Sequence, residues 1–228
     1  MMTMINFIKK ETNRQSEMFH EGLKKMFMGL LLIIFYLADT HASQLEAFAD
    51  GTQTIQASFS QIMFNEDKGI MDKSTGSIFI SKPDRLLIKY NSPNNFIILA
   101  DGKNIWSYDI DLMQAIVTDQ ESSLRTTVAS ILIGSHQSFK NFVVQEFVDK
   151  NRISNTILTP KEFDSMFSQY KIGFKNRQLI YVEMKEKTGR ITRMEFENMI
   201  VNKLINDQVF SLQLPIGVDI IQDRISYD

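Results

Sequence analysis

Phe96-Ile97-Ile98-Leu99-Ala100-Asp101-Gly102-Lys103-Asn104-Ile105-Trp106-Ser107-Tyr108 is the stretch that decides the architecture of this chain. An Asp-Gly pair between two runs rich in β-branched and aromatic residues marks a tight hairpin, because glycine enters the left-handed region without a steric penalty. The stretch predicts a strand over Phe96 to Ala100, a turn at Asp101-Gly102 and a returning strand over Ile105 to Tyr108. The same grammar repeats outward in both directions. Lys68-Gly69, Lys82-Pro83-Asp84, Ser92-Pro93-Asn94 and Thr188-Gly189 each separate apolar runs and read as turns.

Between these turns the apolar residues alternate. Ile55, Ala57, Phe59 and Gln61 fall on one side of an extended segment, as do Ile78 with Ile80, and Leu86 and Ile88 with Tyr90. Further strands are predicted over Asn141 to Val148, Thr156 to Leu158, Met166 to Phe174, Leu179 to Met184, Thr192 to Met199 and Val209 to Leu214. Strand after strand at short spacing, with little helix between, implies an antiparallel meander. Two helices interrupt it. Ser43 followed by Glu46 is a capping pattern that should start a short helix carrying Leu45, Phe48 and Ala49 and ending at Gly51. Within Ser122 to Gly134, Leu124, Val128, Ile131 and Leu132 recur at helical spacing, and a glycine closes the segment. Phe96-Ile97-Ile98-Leu99 and Leu86-Leu87-Ile88 are apolar on both faces, so those strands should be covered twice. Helices can cover one side, and a cavity or ligand part of the other.

The N-terminus has a different character. Lys24 and Lys25 precede an unbroken apolar run from Met26 to Leu37, followed by Ala38-Asp39-Thr40-His41-Ala42-Ser43. Basic, apolar and small segments in that order form a secretory signal peptide. The run is shorter than the roughly 20 residues of a membrane-spanning helix. Residues 1–42 are therefore expected to be an N-terminal extension and cleavable signal peptide, cut after Ala42 or, second, after Thr40. Met18 offers an alternative start. The domain proper would be residues 43–228, enough chain for one well-buried core.

Composition excludes several classes of function. With no cysteine in the chain, there is no disulfide frame, thiolate metal site or cysteine nucleophile, and no residue to carry a lipid of its own. Five of the 25 basic and four of the 27 acidic side chains precede Ser43, leaving 20 against 23 and a net charge near −3, which gives no basic face for nucleic acid. Of the histidines only His136 lies beyond residue 42, too few for an ordinary zinc site without thiolates. A hydrolase using Ser135 or Ser138 with His136 is the enzymatic rival, but no G-x-S-x-G elbow, Gly-rich phosphate loop or paired-carboxylate motif supports it. No enzyme activity, cofactor or metal is expected. Thirteen methionines and seventeen phenylalanines suit an adaptable apolar lining, or a plain packed core.

Several pieces in order resemble the outer-membrane lipoprotein carrier family, LolA. They are Gln56-Ala57-Ser58-Phe59-Ser60-Gln61, Gly76 to Lys82-Pro83, Ala100 to Tyr108, Gln114-Ala115, Leu158-Thr159-Pro160-Lys161, and Phe210-Ser211-Leu212-Gln213-Leu214-Pro215-Ile216-Gly217-Val218-Asp219. The resemblance implies a mainly β fold with lid helices: an unclosed antiparallel β half-barrel enclosing a hydrophobic cavity. It implies a periplasmic chaperone that binds acyl chains of lipoproteins released by an inner-membrane ABC transporter complex and delivers them to an outer-membrane lipoprotein acceptor. A monomer is expected. Since the family's acceptor is itself a lipoprotein, the missing cysteine places this chain on the soluble carrier side. The alternative is a periplasmic lipid- or protein-sensing regulator on the same half-barrel.

The family keeps its empty cavity closed with an arginine before the turn proline that hydrogen-bonds the lid backbone. Here that position is Lys82, the matching lid positions are Ile133 and Gly134, and Met194 lies on the facing strand. A lysine donates to one carbonyl but lacks the planar fork that bridges several. Phe59, Ile80, Leu86, Ile88, Tyr90, Ile131, Leu132, Met194 and Phe196 are the candidates for the acyl-chain lining. A register slip of one residue would instead turn this set away from the cavity. Trp106 is either a further lining residue or a structural one.

Overall fold

The computed structural model describes residues 43–65, 69–125, 127–133 and 136–222. Among the described residues twelve strands form one sheet: β1 (Thr54–Asn65), β2 (Gly69–Ser81), β3 (Arg85–Ser92), β4 (Phe96–Asp101), β5 (Asn104–Asp109), β6 (Gln114–Asp119), β7 (Phe142–Val148), β8 (Ser154–Pro160), β9 (Phe167–Lys175), β10 (Gln178–Glu186), β11 (Arg190–Val201) and β12 (Asp219–Gln222). Their spatial order is β12-β6-β5-β4-β3-β2-β1-β11-β10-β9-β8-β7. Two meanders, β1 to β6 and β7 to β11, are thus joined by the antiparallel pairing of β1 with β11. β12 and β7 lie at opposite edges and do not pair, so the sheet is unclosed. One pairing departs from the antiparallel expectation: β12 runs parallel to β6.

The Asp-Gly hairpin forms as read. Gly102 has φ +99°, and Leu99 faces Trp106 across the β4–β5 ladder. Asp101 organises the turn by accepting from the backbone N–H groups of Lys103 (2.9 Å) and Asn104 (2.8 Å) and from the Trp106 indole (2.8 Å). Burial opposes ionisation of this carboxyl, but the three donors outweigh it and hold the group below the usual carboxylate range.

Helices supply the cover. α1 (Gln44–Gly51) begins at Ser43, whose hydroxyl accepts from the Glu46 N–H at 3.3 Å. The helix expected over Ser122 to Gly134 is two short ones, α2 (Gln120–Leu124) and α3 (Val128–Ile133), followed by a 3-10 turn over His136–Asn141. Between the two helices lies Thr127, a β-branched residue poor in helix propensity. The Thr127 hydroxyl donates to the Leu124 carbonyl at 2.9 Å, and the Ser130 hydroxyl to the Thr127 carbonyl at 2.7 Å. Such local bonds compete with a continuous helical ladder.

A second expectation is corrected near the C-terminus. Val209 to Leu214 is not a strand: Asp207–Phe210 is a 3-10 turn capped by Asn206, and the last strand lies later, at β12. The apolar residues misread as strand alternation instead dock on the convex face. Phe210, Val209, Leu212 and Ile205 pack with Leu87, Leu99, Phe79, Ile97 and Trp106. This explains why β3 and β4 are apolar on both faces: the chain's own C-terminal segment covers one side and the main core the other. Trp106 belongs to this convex layer. Parity is likewise settled, because Ile55, Ala57, Phe59, Ile78, Ile80 and Leu86 are buried in the concave core together with Leu45 of α1 and Val128, Ile131 and Leu132 of α3.

Two glycines let large rings lie flat on the sheet. Gly76 faces Phe59 across β1–β2; a Cβ there would meet the Lys89 carbonyl oxygen at 2.1 Å and the Phe59 ring at 2.7 Å. On the convex face, Tyr181 covers Gly173, with the Arg193 guanidinium stacked 3.8 Å from its ring centroid.

Candidate acyl-chain cavity

Between the concave face and the lid helices lies a cavity of about 260 Å³. Its sheet wall is Ile78 and Ile80 of β2, Leu86 and Ile88 of β3, and Ile98 of β4. The opposite wall is Phe167 and Tyr170 of β9, Val182 and Met184 of β10, and Met194 and Phe196 of β11. Leu124 of α2, Thr127 and the α3 residues Val128, Ala129, Leu132 and Ile133 roof it. Period-two alternation aims every second residue of each strand inward, and β1–β2 and β2–β3 register aligns these rows, with Ile78 opposite Ile88 and Ile80 opposite Leu86. Polar groups in the lining are few, and the Thr127 hydroxyl is already spent on the Leu124 carbonyl. Burial pushes the Tyr170 phenol well above its ordinary range, so it stays neutral.

The candidate residues divide around this space. Ile80, Leu86, Ile88, Leu132, Met194 and Phe196 border it. Phe59 and Ile131 are sealed in the surrounding core, at 3% and 1% exposure. Phe59 is held there by its seat on Gly76 and an edge-on contact with Tyr90 at 5.2 Å. Tyr90 borders a neighbouring, more polar recess instead. Sequence reasoning missed Ile78, Ile98, Val182 and Met184, which share inward parity with residues it named or expected in strands. Phe167 and Tyr170 also fall within a predicted strand, Met166 to Phe174, but their place in the wall follows from how the second meander curls over the first.

Lys82 reaches α1, where its ammonium donates to the Ala49 carbonyl. Burial lowers its pKa, opposed by the charge of Asp50. Ile133 roofs the cavity, and Gly134 lies outside the described residues, as do Ser135 and the side chain of His136. The lid is tied to the sheet from elsewhere. The buried Gln120 donates to the Asp84 carbonyl at 2.7 Å and accepts from the Gly102 N–H at 3.0 Å, bracing the start of α2 against two turns. Asn141 donates to the Arg125 carbonyl at 3.1 Å. No side chain other than Gln120 in this set is deeply buried, so the lid is held by a few polar bonds and an incompletely filled apolar layer.

Among the described residues no helix is long and apolar enough to cross a membrane, and no group of three or more His, Asp or Glu side chains could hold a metal ion.

Residues 50–213 match the family model described as outer membrane lipoprotein carrier protein LolA. Relatives called outer-membrane lipoprotein carrier protein include one from Legionella pneumophila, 30% identical over 203 residues, covering 88% of this chain and all of the relative. Another from Chromobacterium violaceum is 30% identical over 179 residues, covering 78% and 86%. Among solved structures, a LolA-superfamily protein from Nitrosomonas europaea aligns with TM-score 0.43 at 12% identity, over 74% of this chain and 96% of that one.

Proposed function

On the premise that this chain belongs to the outer-membrane lipoprotein carrier family, LolA, we propose that it carries lipoproteins by sheltering their acyl chains in the cavity between the concave sheet and its lid helices. The observation that carries the reading is that space itself: about 260 Å³ walled by apolar side chains. At roughly 30 Å³ per methylene, about the volume of a liquid water, it holds roughly nine methylenes. At about 0.8 kcal/mol each, their burial is worth about 7 kcal/mol, a dissociation constant of order ten micromolar.

A long acyl chain exceeds that volume, so loading requires the lid to move. The lid suits this role because, although α3 buries Val128, Ile131, Leu132 and Ile133, the apolar layer beneath it is incompletely filled and the ends of the lid are braced by exchangeable polar bonds at Gln120 and Asn141. A carrier must both hold and release its cargo, which calls for closed and open lids of nearly equal free energy. Lys82, Ile133 and Gly134 are the proposed switch elements, with Lys82 acting through α1. Ile80, Leu86, Ile88, Leu132, Met194 and Phe196 form the proposed acyl lining, with Phe59, Tyr90 and Ile131 supporting it.

In this reading the chain works in the periplasm without catalysis, after removal of residues 1–42. It acts as a monomer between an inner-membrane ABC transporter complex and an outer-membrane lipoprotein acceptor. The test is a titration of the purified chain with a fluorescent fatty acid, followed by a triacylated lipoprotein as competitor. Saturable binding reversed by the lipoprotein is expected. Absence of binding in both steps would overturn the proposal.

A further inference from the structure

The concave face changes character at one end. Along β1 the inward residues run Ile55, Ala57, Phe59 and then Gln61; along β2 they run Ile80, Ile78, Gly76 and then Ser74; along β3, Leu86, Ile88 and then Tyr90. Gln61 and Ser74 are register partners. The three side chains form one hydrogen-bonded array: Tyr90 Oη donates to Gln61 Oε1 at 3.1 Å, and Gln61 Nε2 donates to Ser74 Oγ at 3.3 Å. They border a recess of about 230 Å³ that shares Ile98 with the apolar cavity and reaches the surface at exposed Asp72, Ser92 and Asn94.

Three strands therefore turn polar at the same level, beside an otherwise apolar cavity. A membrane-like core with a polar band at its mouth is the profile of an amphiphile site. Tails sit deep, and the linkage to the polar head sits at the band, where its carbonyl oxygens need donors that hydrocarbon walls cannot supply. The band has donors to give. A primary amide carries two N–H hydrogens and a hydroxyl one. The array uses one Gln61 hydrogen on Ser74, leaving the second amide hydrogen and the Ser74 hydroxyl hydrogen for an incoming carbonyl. Tyr90 is fixed for the purpose by Phe59 edge-on at 5.2 Å and by Phe96 at 6.3 Å.

We infer that Gln61, Ser74 and Tyr90 form a head-linkage subsite that binds the ester carbonyls of the acylated lipoprotein head, so that the cargo enters tails first and its peptide leaves past Asp72, Ser92 and Asn94. The inference rests on the carrier reading above. It sets the orientation of the cargo and makes the site selective for ester-linked acyl groups over bare hydrocarbon.

The test compares three probes on the purified chain: a fluorescent hydrocarbon without a head, a synthetic S-dipalmitoylglyceryl-cysteine peptide, and a phospholipid with the same acyl chains. Gln61→Leu keeps the volume and removes the donors. It should weaken the lipopeptide roughly three- to tenfold, the worth of one hydrogen bond, and leave the hydrocarbon unchanged or tighter. Tyr90→Phe, which preserves the ring contacts, is the milder variant that keeps the question open to measurement if Gln61→Leu misfolds, and should show a smaller selective loss. Equal loss for hydrocarbon and lipopeptide, or no loss for either, would overturn the subsite. Tighter binding of the phospholipid than the lipopeptide by the unaltered chain would overturn the assignment to a lipoprotein head. Failure of the unaltered chain to bind even the hydrocarbon would instead defeat the carrier reading, a separately visible outcome.

Discussion

Ala129→Phe tests whether the space under the lid is the ligand site. Ala129 sits on α3 among the residues that border the cavity. Replacing its methyl group by a benzyl group introduces a ring equivalent to roughly six methylenes, about 180 Å³ at ~30 Å³ each, against the 260 Å³ present. An acyl chain would lose that much burial, about 5 kcal/mol at about 0.8 kcal/mol per methylene. This corresponds to a dissociation constant raised more than a thousandfold, with lid displacement making the figure an upper bound. Stability should move the other way, because a ring entering empty apolar space gains contacts, whereas overpacking a filled core costs about 1–3 kcal/mol. Fluorescent fatty-acid titration and thermal unfolding on the same preparations read both quantities. Unchanged probe affinity in a folded Ala129→Phe protein would refute the reasoning, since the ligand would then lie elsewhere.

Other perturbations follow from single contacts. Lys82→Leu removes the bond from the β2–β3 turn to the Ala49 carbonyl; acyl-chain uptake should persist while release to an acceptor slows, and normal transfer would remove Lys82 from the switch. Gly76→Ala places a Cβ 2.1 Å from the Lys89 carbonyl oxygen, a backbone atom that cannot rotate away, so denaturant unfolding should show a loss of about 1–3 kcal/mol or more; a neutral effect would mean that the strands separate freely there. Asp101 titrates below its ordinary 3.8, so its contribution is fully present above 3.8 and is lost as pH falls through the lower folded value. Asp101→Asn should therefore lower the unfolding temperature at neutral pH, with the gap to the unaltered protein closing in acid; a gap independent of pH would contradict this.

Much of the half-barrel was legible because its signals are local. Asp101-Gly102 announces a hairpin whatever surrounds it, and alternation through Ile78–Ile80 and Leu86–Ile88 needs only the period of an extended chain. The candidate lining was read by the same means, and six of its nine members border the cavity. Where the reading failed, the missing information was not local. Phe210, Leu212 and Leu214 alternate with Ser211 and Gln213 as a strand would, yet no strand edge is offered to them; the convex surface of β3 and β4 is, and Val209, Phe210 and Leu212 dock there, the first two within a capped 3-10 turn. Phe59 carries the pattern of a lining residue, but Gly76 opposite it lets its ring sink into the wall.

By itself the amino-acid order determined the strand count to within a few elements, the hairpin turns, which residues of the first meander share a face and the presence of a helical cover; which of the two faces is the concave one was settled by the packing. Those features depend on backbone chemistry within a few residues. Tertiary structure alone decided that β1 pairs with β11, which brings Met194 and Phe196 across from Ile80 and Leu86, and that the polar ends of three strands meet at one level. Pairing between distant strands is selected by the total burial of both meanders, a quantity that no short stretch of chain contains.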